Sequence, residues 1–139
     1  MISKAMRWAS VVLLVTAVPL LAGCGGRTTS DRDLVLVEYA DLVKMQAEAE
    51  QLAIVDVRPA ERFAEGHIPG AVNIRLAEMQ RDDPRLSEAT PIVVYGRDWQ
   101  DPRGPAGAKE LIRLGYGQVY DFRGGLELWE ARGGAVVQE

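Results

Sequence analysis

The chain has 139 residues, enough for one domain, and its 47% apolar and 26% charged residues form an ordinary globular balance. The formal net charge of −4 argues against the basic surface that nucleic acid binding requires. With one histidine and one cysteine in the whole chain, the usual set of zinc ligands cannot be assembled. We therefore expect no nucleic acid partner, no metal and no cofactor.

The first segment differs in composition from the rest of the chain. Lys4 and Arg7 make a short basic start, and residues 8–22 carry no charge and are rich in Val, Leu and Ala. A basic start followed by a short apolar run is typical of a secretory signal. The run is also shorter than the roughly 20 apolar residues of a transmembrane helix. Export from the cytoplasm is the expectation.

The end of this segment, Leu21-Ala22-Gly23-Cys24, resembles the bacterial lipobox. The resemblance implies cleavage of a signal peptide over residues 1–23 and acylation of Cys24, which would anchor the protein to the lipid membrane of the cell envelope. Each buried methylene adds about 0.8 kcal/mol, so two or three acyl chains suffice as an anchor. Gly25 is not the aspartate that retains many lipoproteins at the inner membrane, which favours the outer membrane, facing the periplasm, if the bacterium is Gram-negative. The alternative is an ordinary signal peptide with a cysteine nearby by chance.

Residues 24–33 predict a lipidated cysteine followed by a flexible tether, because GGRTTSDRD is polar and rich in Gly, Ser and Thr. The remaining residues, 34–139, predict one α/β domain with a parallel central sheet of about five strands flanked by helices, since strand and helix patterns alternate. The predicted strands are 34–37, 52–57, 71–74, 92–95 and 118–122. The predicted helices are 41–51, 59–64, 75–79, 105–114 and 126–132.

The stretch 91–115, PIVVYGRDWQDPRGPAGAKELIRLG, predicts a buried strand, a polar loop and a helix that ends near Gly115. In an open α/β sheet, a loop from a strand to a helix N-terminus is where ligands tend to bind. The N–H groups and the dipole of the helix favour anions there.

Three stretches together resemble the rhodanese-like domains: residues 91–115, IVDVRPAERFAEGHIPGAVNI at 54–74, and VYDFRGGLELWEARG at 119–133. In active members of that family, a cysteine directly after the buried strand carries sulfur as a persulfide. This chain has Gly96 at that place, and Arg103 lies further along the loop than the arginine of active relatives. The resemblance therefore implies the fold without its nucleophile, because glycine offers no thiolate.

Three functions remain open from the sequence. The leading hypothesis is a non-catalytic binding module in the envelope that holds a protein partner or a small oxyanion through Gly96, Arg97, Asp98, Trp99 and Arg103. A thiosulfate-type sulfurtransferase is the alternative, disfavoured because Gly96 replaces the catalytic cysteine. A purely structural envelope protein is the third.

Two residue types in this loop have competing interpretations. Trp99 either packs against the domain surface or serves as an exposed interface anchor, as Trp often does at hot spots. Arg97 and Arg103 either hold an oxyanion or are solvated and paired with Asp98 and Asp101.

Three polar residues outside the loop have structural interpretations. His67 falls in the turn GHIPG and is expected to stabilise that turn by hydrogen bonding. Asp56 and Arg58 are expected to form a polar pair near the edge of the sheet.

Overall fold

The computed structural model describes residues 29–139, so the predicted signal peptide, Cys24 and the first part of the tether, residues 25–28, lie outside the described residues. The five strands are β1 (Val35–Leu36), β2 (Ala53–Asp56), β3 (Ala71–Asn73), β4 (Ile92–Tyr95) and β5 (Val119–Phe122). The four α-helices are α1 (Tyr39–Glu48), α2 (Ala60–Glu65), α3 (Arg103–Leu114) and α4 (Gly125–Ala131). Within this range, no helix is long and apolar enough to cross a membrane.

All five strands form one parallel sheet in the order β1-β5-β4-β2-β3, which confirms the predicted fold class. Strand β4 lies in the middle and pairs with β5 on one side and β2 on the other. Because the strands are parallel, the segments that follow β2, β4 and β5 emerge at the same edge of the sheet. The loop predicted as the site is therefore central to that edge.

Two apolar clusters cover the two faces of the sheet, and β4 contributes to both. Ile92 and Val94 pack in one cluster, beneath α3, while Val93 and Tyr95 pack in the other, beneath α1 and α4. All four side chains are fully buried. The continuous apolar run of β4 is thus explained by burial on both faces.

The helix boundaries differ from the prediction by a few residues. Helix α3 begins at Arg103 instead of residue 105, and α1 begins at Tyr39 instead of residue 41. The predicted helix at 75–79 is a single 3-10 turn, Leu76–Glu78. Two further 3-10 turns that the sequence does not predict occupy Pro84–Leu86 and Asp31–Asp33, the latter within the predicted flexible tether. The predicted end of α3 is confirmed, because Gly115 has φ 99° and closes the helix in the left-handed conformation.

Candidate functional site

The loop between β4 and α3, residues 96–102, begins with the buried Gly96 directly after the last strand residue. The side chain of Asp98 accepts hydrogen bonds from the N–H groups of Gln100 (2.8 Å) and Asp101 (3.1 Å), which folds the chain into a turn. Trp99 stands at this turn with 54% of its surface exposed, so it does not pack into the domain surface. Of the two arrangements considered for Trp99, the structure favours the one in which its side chain is exposed.

The carboxylate of Asp101 is the centre of the loop. It accepts hydrogen bonds from the backbone N–H of Arg97 (2.7 Å) and of Arg103 (3.1 Å). It also accepts two from the Arg103 guanidinium, at 2.8 Å from Nε and 2.8 Å from Nη2. Burial alone would raise the pKa of Asp101, but the hydrogen bonds from Arg103 and from the backbone hold it below its ordinary value. Asp101 is therefore an ionised, well-satisfied carboxylate.

This carboxylate fills the space in front of residue 96. A Cβ atom on Gly96 would lie 2.7 Å from Oδ2 and 2.9 Å from Cγ of Asp101, both inside van der Waals contact. Gly104, in the first turn of α3, approaches the same point, because a Cβ there would lie 3.3 Å from the Gly96 nitrogen. A side chain at position 96 and the observed position of Asp101 exclude each other.

The loop is also tied to the helix that follows β5. The backbone N–H of Leu126 donates to the Gly96 carbonyl (3.1 Å), and that of Glu127 donates to the Arg97 carbonyl (2.9 Å). Gly125 permits this contact, because a Cβ on it would lie 2.5 Å from the Gly96 carbonyl oxygen and its φ is +61°. The first two residues of the β4–α3 loop are consequently fixed against α4.

The predicted site residues share this loop, but the two arginine side chains have different surroundings. Arg103 is bound to Asp101, whereas the exposed Arg97 lines a polar cleft of about 360 Å³. The other residues lining this cleft come from α2, from α4, from the residues flanking α2 and from the C-terminal segment: Arg58, Arg62, Glu65, Gly66, Leu126, Glu130, Val136 and Gln138. The structure therefore does not place Arg97 and Arg103 as a joint guanidinium pair around one anion.

Asp56 and Arg58 form a buried ion pair next to this loop. Nη2 of Arg58 lies 2.6 Å from Oδ2 of Asp56 and donates a second bond, 2.7 Å long, to the Gly66 carbonyl. The hydroxyl of Tyr95 accepts from the Ile68 N–H at 3.1 Å. Arg58 thus joins the end of β2 to the turn after α2, a structural contact.

The turn contact of His67 is likewise structural. Its Nδ1 lies 2.9 Å from the Phe63 carbonyl oxygen, and its ring stacks on the Phe63 ring at a centroid distance of 3.7 Å. Its backbone forms an antiparallel bridge with Val137. In the described range 29–139, no group of three or more His, Cys, Asp or Glu residues could hold a metal ion.

The role of Asp101 was missed as a site feature, although a repeated tripeptide signals it. Aspartate and arginine recur two positions apart four times, at 56–58, 83–85, 101–103 and 121–123, and each pair is an ion pair in the structure. In the first three, the arginine N–H also donates to the aspartate side chain. The pairs at 83–85 and 101–103 even share the sequence Asp-Pro-Arg.

The fourth pair is the least complete. Asp121 lies in β5 with its side chain fully buried and its Oδ2 2.6 Å from Nε of Arg123. Its Oδ1 has no hydrogen-bond partner among the described residues. Burial raises the pKa of Asp121 above its ordinary value, against the opposing effect of Arg123.

A five-stranded parallel sheet with helices on both faces and a strand-to-helix loop at its centre defines an α/β domain of the rhodanese type. Residues 38–132 match the family Rhodanese-like domain, more than half of the chain. The chain belongs to this family.

Proteins similar in sequence to this chain include named sulfurtransferases. The thiosulfate sulfurtransferase GlpE of Coxiella burnetii is 28% identical over 95 residues, which is 68% of this chain and 83% of that protein. A sulfurtransferase of Allochromatium vinosum is 28% identical over 108 residues, covering 73% of this chain and 92% of its own length.

Solved structures agree on the fold. The crystal structure of the BH2092 protein from Bacillus halodurans superposes with a TM-score of 0.68 at 30% identity, covering 75% of this chain and 77% of that chain. The human single-domain sulfurtransferase TSTD1 has a TM-score of 0.59 at 23% identity, covering 70% and 96% of the two chains, and supports the fold alone.

Proposed function

We propose that this protein is a non-catalytic rhodanese-like module, lipid-anchored in the bacterial envelope, which binds a protein partner or a small oxyanion through the β4–α3 loop. One observation carries the proposal. The position directly after β4, where active relatives have their cysteine, is Gly96, and the carboxylate of Asp101 fills the space in front of it.

The chemistry of sulfur transfer supports the non-catalytic part. The reaction needs a thiolate that attacks the sulfur donor and carries the sulfur as a persulfide. The one cysteine of the chain is Cys24, which lies before the domain and within the lipobox-like sequence. Acylation of that thiol would leave the domain without a nucleophile.

The rigidity and the exposed residues of the loop support the binding part. Asp98, Asp101 and the contacts with α4 fix its backbone, so little conformational freedom remains to be lost on binding. On this fixed support, Trp99 is exposed and Arg97 lines the neighbouring cleft. Trp and Arg are the residue types enriched at interface hot spots.

The anchoring part rests on the sequence before the described residues. The apolar segment, the lipobox-like residues 21–24 and the polar tether agree with one another in order and composition. In a Gram-negative bacterium, Gly25 after the cysteine favours the outer membrane, with the domain in the periplasm.

Affinity capture from envelope extract tests the binding proposal, with one loop variant and one matched control. Leu76 is also a large exposed apolar residue, at 44%, but lies outside the loop. We expect Trp99→Ala to lose a captured protein that the wild type and Leu76→Ala both retain. If no captured protein depends on Trp99 and no oxyanion shifts the loop amides, the proposed binding role is wrong.

A sulfurtransferase remains the second candidate, because the relatives at 28% identity carry that name. The two functions differ in one measurable property. An enzyme transfers sulfur from thiosulfate to cyanide, and a binding module does not.

A further inference from the structure

We infer that the carboxylate of Asp101 is itself the resident anion of the β4–α3 loop, so that the native protein does not bind free sulfate, phosphate or thiosulfate there. The inference deepens the proposed function and rests on it, since it concerns the same loop and decides between the two ligands proposed there, against the small oxyanion and for a protein partner. It leaves the exposed side of the loop, with Trp99 and Arg97, as the surface that recognises a partner.

The donors around this carboxylate have the chemistry of an oxyanion site. Two backbone N–H groups, from Arg97 and Arg103, converge on it from opposite ends of the loop, and the guanidinium of Arg103 adds two further donors. Backbone N–H groups at the start of a helix together with a bidentate arginine are the usual partners of sulfate, phosphate and carboxylate. All four donors already have Asp101 as their acceptor.

The occupant is held firmly. The Asp101 side chain is only 4% exposed, and the hydrogen bonds it accepts keep its pKa below the ordinary value despite its burial. The charged groups nearest to the pair include Arg58 and Asp56, which bind each other. Protonation therefore does not release Asp101 near neutral pH, and an external anion would have to displace a covalently attached one.

The chain contains a natural comparison for this site. Asp83, Pro84 and Arg85 repeat the same tripeptide and the same clamp, with Nη2 of Arg85 2.6 Å from Oδ2 of Asp83. The carboxylate of Asp83 is bound only by Arg85, through its N–H, Nε and Nη2. The additional donor at 101 is the N–H of Arg97 from across the loop. Loss of Asp83 frees an arginine side chain and one N–H group, whereas loss of Asp101 frees an arginine side chain and two N–H groups that converge from opposite ends of the loop.

Titration of the purified full chain with sodium sulfate, at ionic strength held constant with chloride, tests the inference by amide and arginine Nε NMR signals. We expect no saturable shift at Arg97 or Arg103 in the wild type. In Asp101→Ala the same signals should shift saturably, with sulfate bound at least about tenfold more tightly than in the wild type, because charge-assisted hydrogen bonds become available. Asp83→Ala should show no comparable site.

Saturable binding of sulfate by the wild-type loop would overturn the inference, and so would an Asp101→Ala protein that folds but gains no site. A second measurement applies if Asp101→Ala does not fold. The Asp101 carboxyl carbon of the wild type should titrate below the ordinary aspartate pKa of about 3.9, and an ordinary or raised pKa would contradict the occupancy. Sulfur transfer by the chain would instead remove the proposed function and is read in a separate assay.

Discussion

Residue 96 and the Asp101 carboxylate compete for one volume, which makes a steric prediction. Gly96 does not have a positive φ, so its backbone tolerates a side chain, but a Cβ would lie 2.7 Å from Oδ2 of Asp101. We expect Gly96→Ala to lower the free energy of unfolding by about 1–3 kcal/mol, the usual effect of overpacking. Gly117→Ala is the matched control, because a Cβ at Gly117 meets nothing within 4 Å.

The same competition is measurable as a coupling. In an Asp101→Ala background the obstructing carboxylate is absent, so Gly96→Ala should cost much less there than in the wild type. Chemical denaturation of the four proteins of the cycle gives the coupling energy, expected at about 0.5–3 kcal/mol for groups in contact. Equal costs of Gly96→Ala in both backgrounds would show that Asp101 does not obstruct position 96.

Restoration of the cysteine alone should not restore sulfur transfer. In Gly96→Cys the thiol and Asp101 meet at the same point, and a nearby carboxylate raises the pKa of a thiol and repels an anionic donor. We expect the variant to react with a thiol probe yet turn over thiosulfate poorly, and Gly96→Cys with Asp101→Ala to improve on it. Efficient turnover by the single variant would mean that Asp101 moves aside at little cost.

The buried Asp121 predicts a dependence of stability on pH. Burial raises its pKa in the folded state, so its carboxyl group holds a proton more tightly when folded than when unfolded. Its favourable contribution is therefore complete below the unfolded pKa of about 3.9 and is lost as the pH rises through the folded pKa. The free energy of unfolding of Asp121→Asn, minus that of the wild type, should increase with pH across that window in urea titrations. A decrease would mean that Arg123 outweighs burial.

At the scale of elements, the contact between the β4–α3 loop and α4 depends on Gly125. A side chain there would collide with the carbonyl groups that Leu126 and Glu127 bind, in addition to straining a φ of +61°. Gly133 has φ +82° but a Cβ would meet nothing within 4 Å, so Gly133→Ala isolates the backbone strain. That control should lose about 1 kcal/mol. Gly125→Ala should lose clearly more in denaturation, and equal losses would contradict the close approach.

The observed bounds of the strands and helices show how much of the secondary structure local sequence patterns predict. Strand β4 was predicted over 92–95, its observed bounds, because four apolar residues between polar breaks have few alternatives in an α/β chain. The start of α3 was placed two residues late, because Pro105 looked like a first helical position. At the observed start, the side chain of Asp101 accepts a hydrogen bond from the Arg103 N–H. The sequence indicates this contact between Asp101 and Arg103 only when the Asp-Pro-Arg repeat is recognised.

The sequence predicts where the site lies in the fold better than it predicts which contacts its side chains make. The loop, its missing cysteine and the positions of Arg97, Trp99 and Arg103 followed from the motifs. That the Asp101 carboxylate occupies the loop was foreseen only through the alternative that Arg97 and Arg103 pair with acidic residues. A choice between those options requires the close approach of Gly104 and Gly125 to Gly96, and Gly125 is distant from the other two in sequence.

At the scale of the whole molecule, the proposed anchor makes a prediction of its own. Cys24 should carry acyl chains, and Cys24→Ala should abolish both labelling by a clickable fatty acid and partition into detergent. The control is Ser30→Ala, in the polar tether, which should leave both labelling and partition unchanged. Unchanged labelling and membrane association of Cys24→Ala would show that the lipobox-like sequence is not an acylation site.

We propose that this member of the rhodanese-like family functions without sulfur transfer. The most direct measurement is the thiosulfate-to-cyanide assay on the full chain carrying Cys24→Ala, in which no cysteine remains. We expect a rate equal to that of the uncatalysed blank, in the variant as in the wild type. Turnover above the blank that Arg103→Ala abolishes would contradict it.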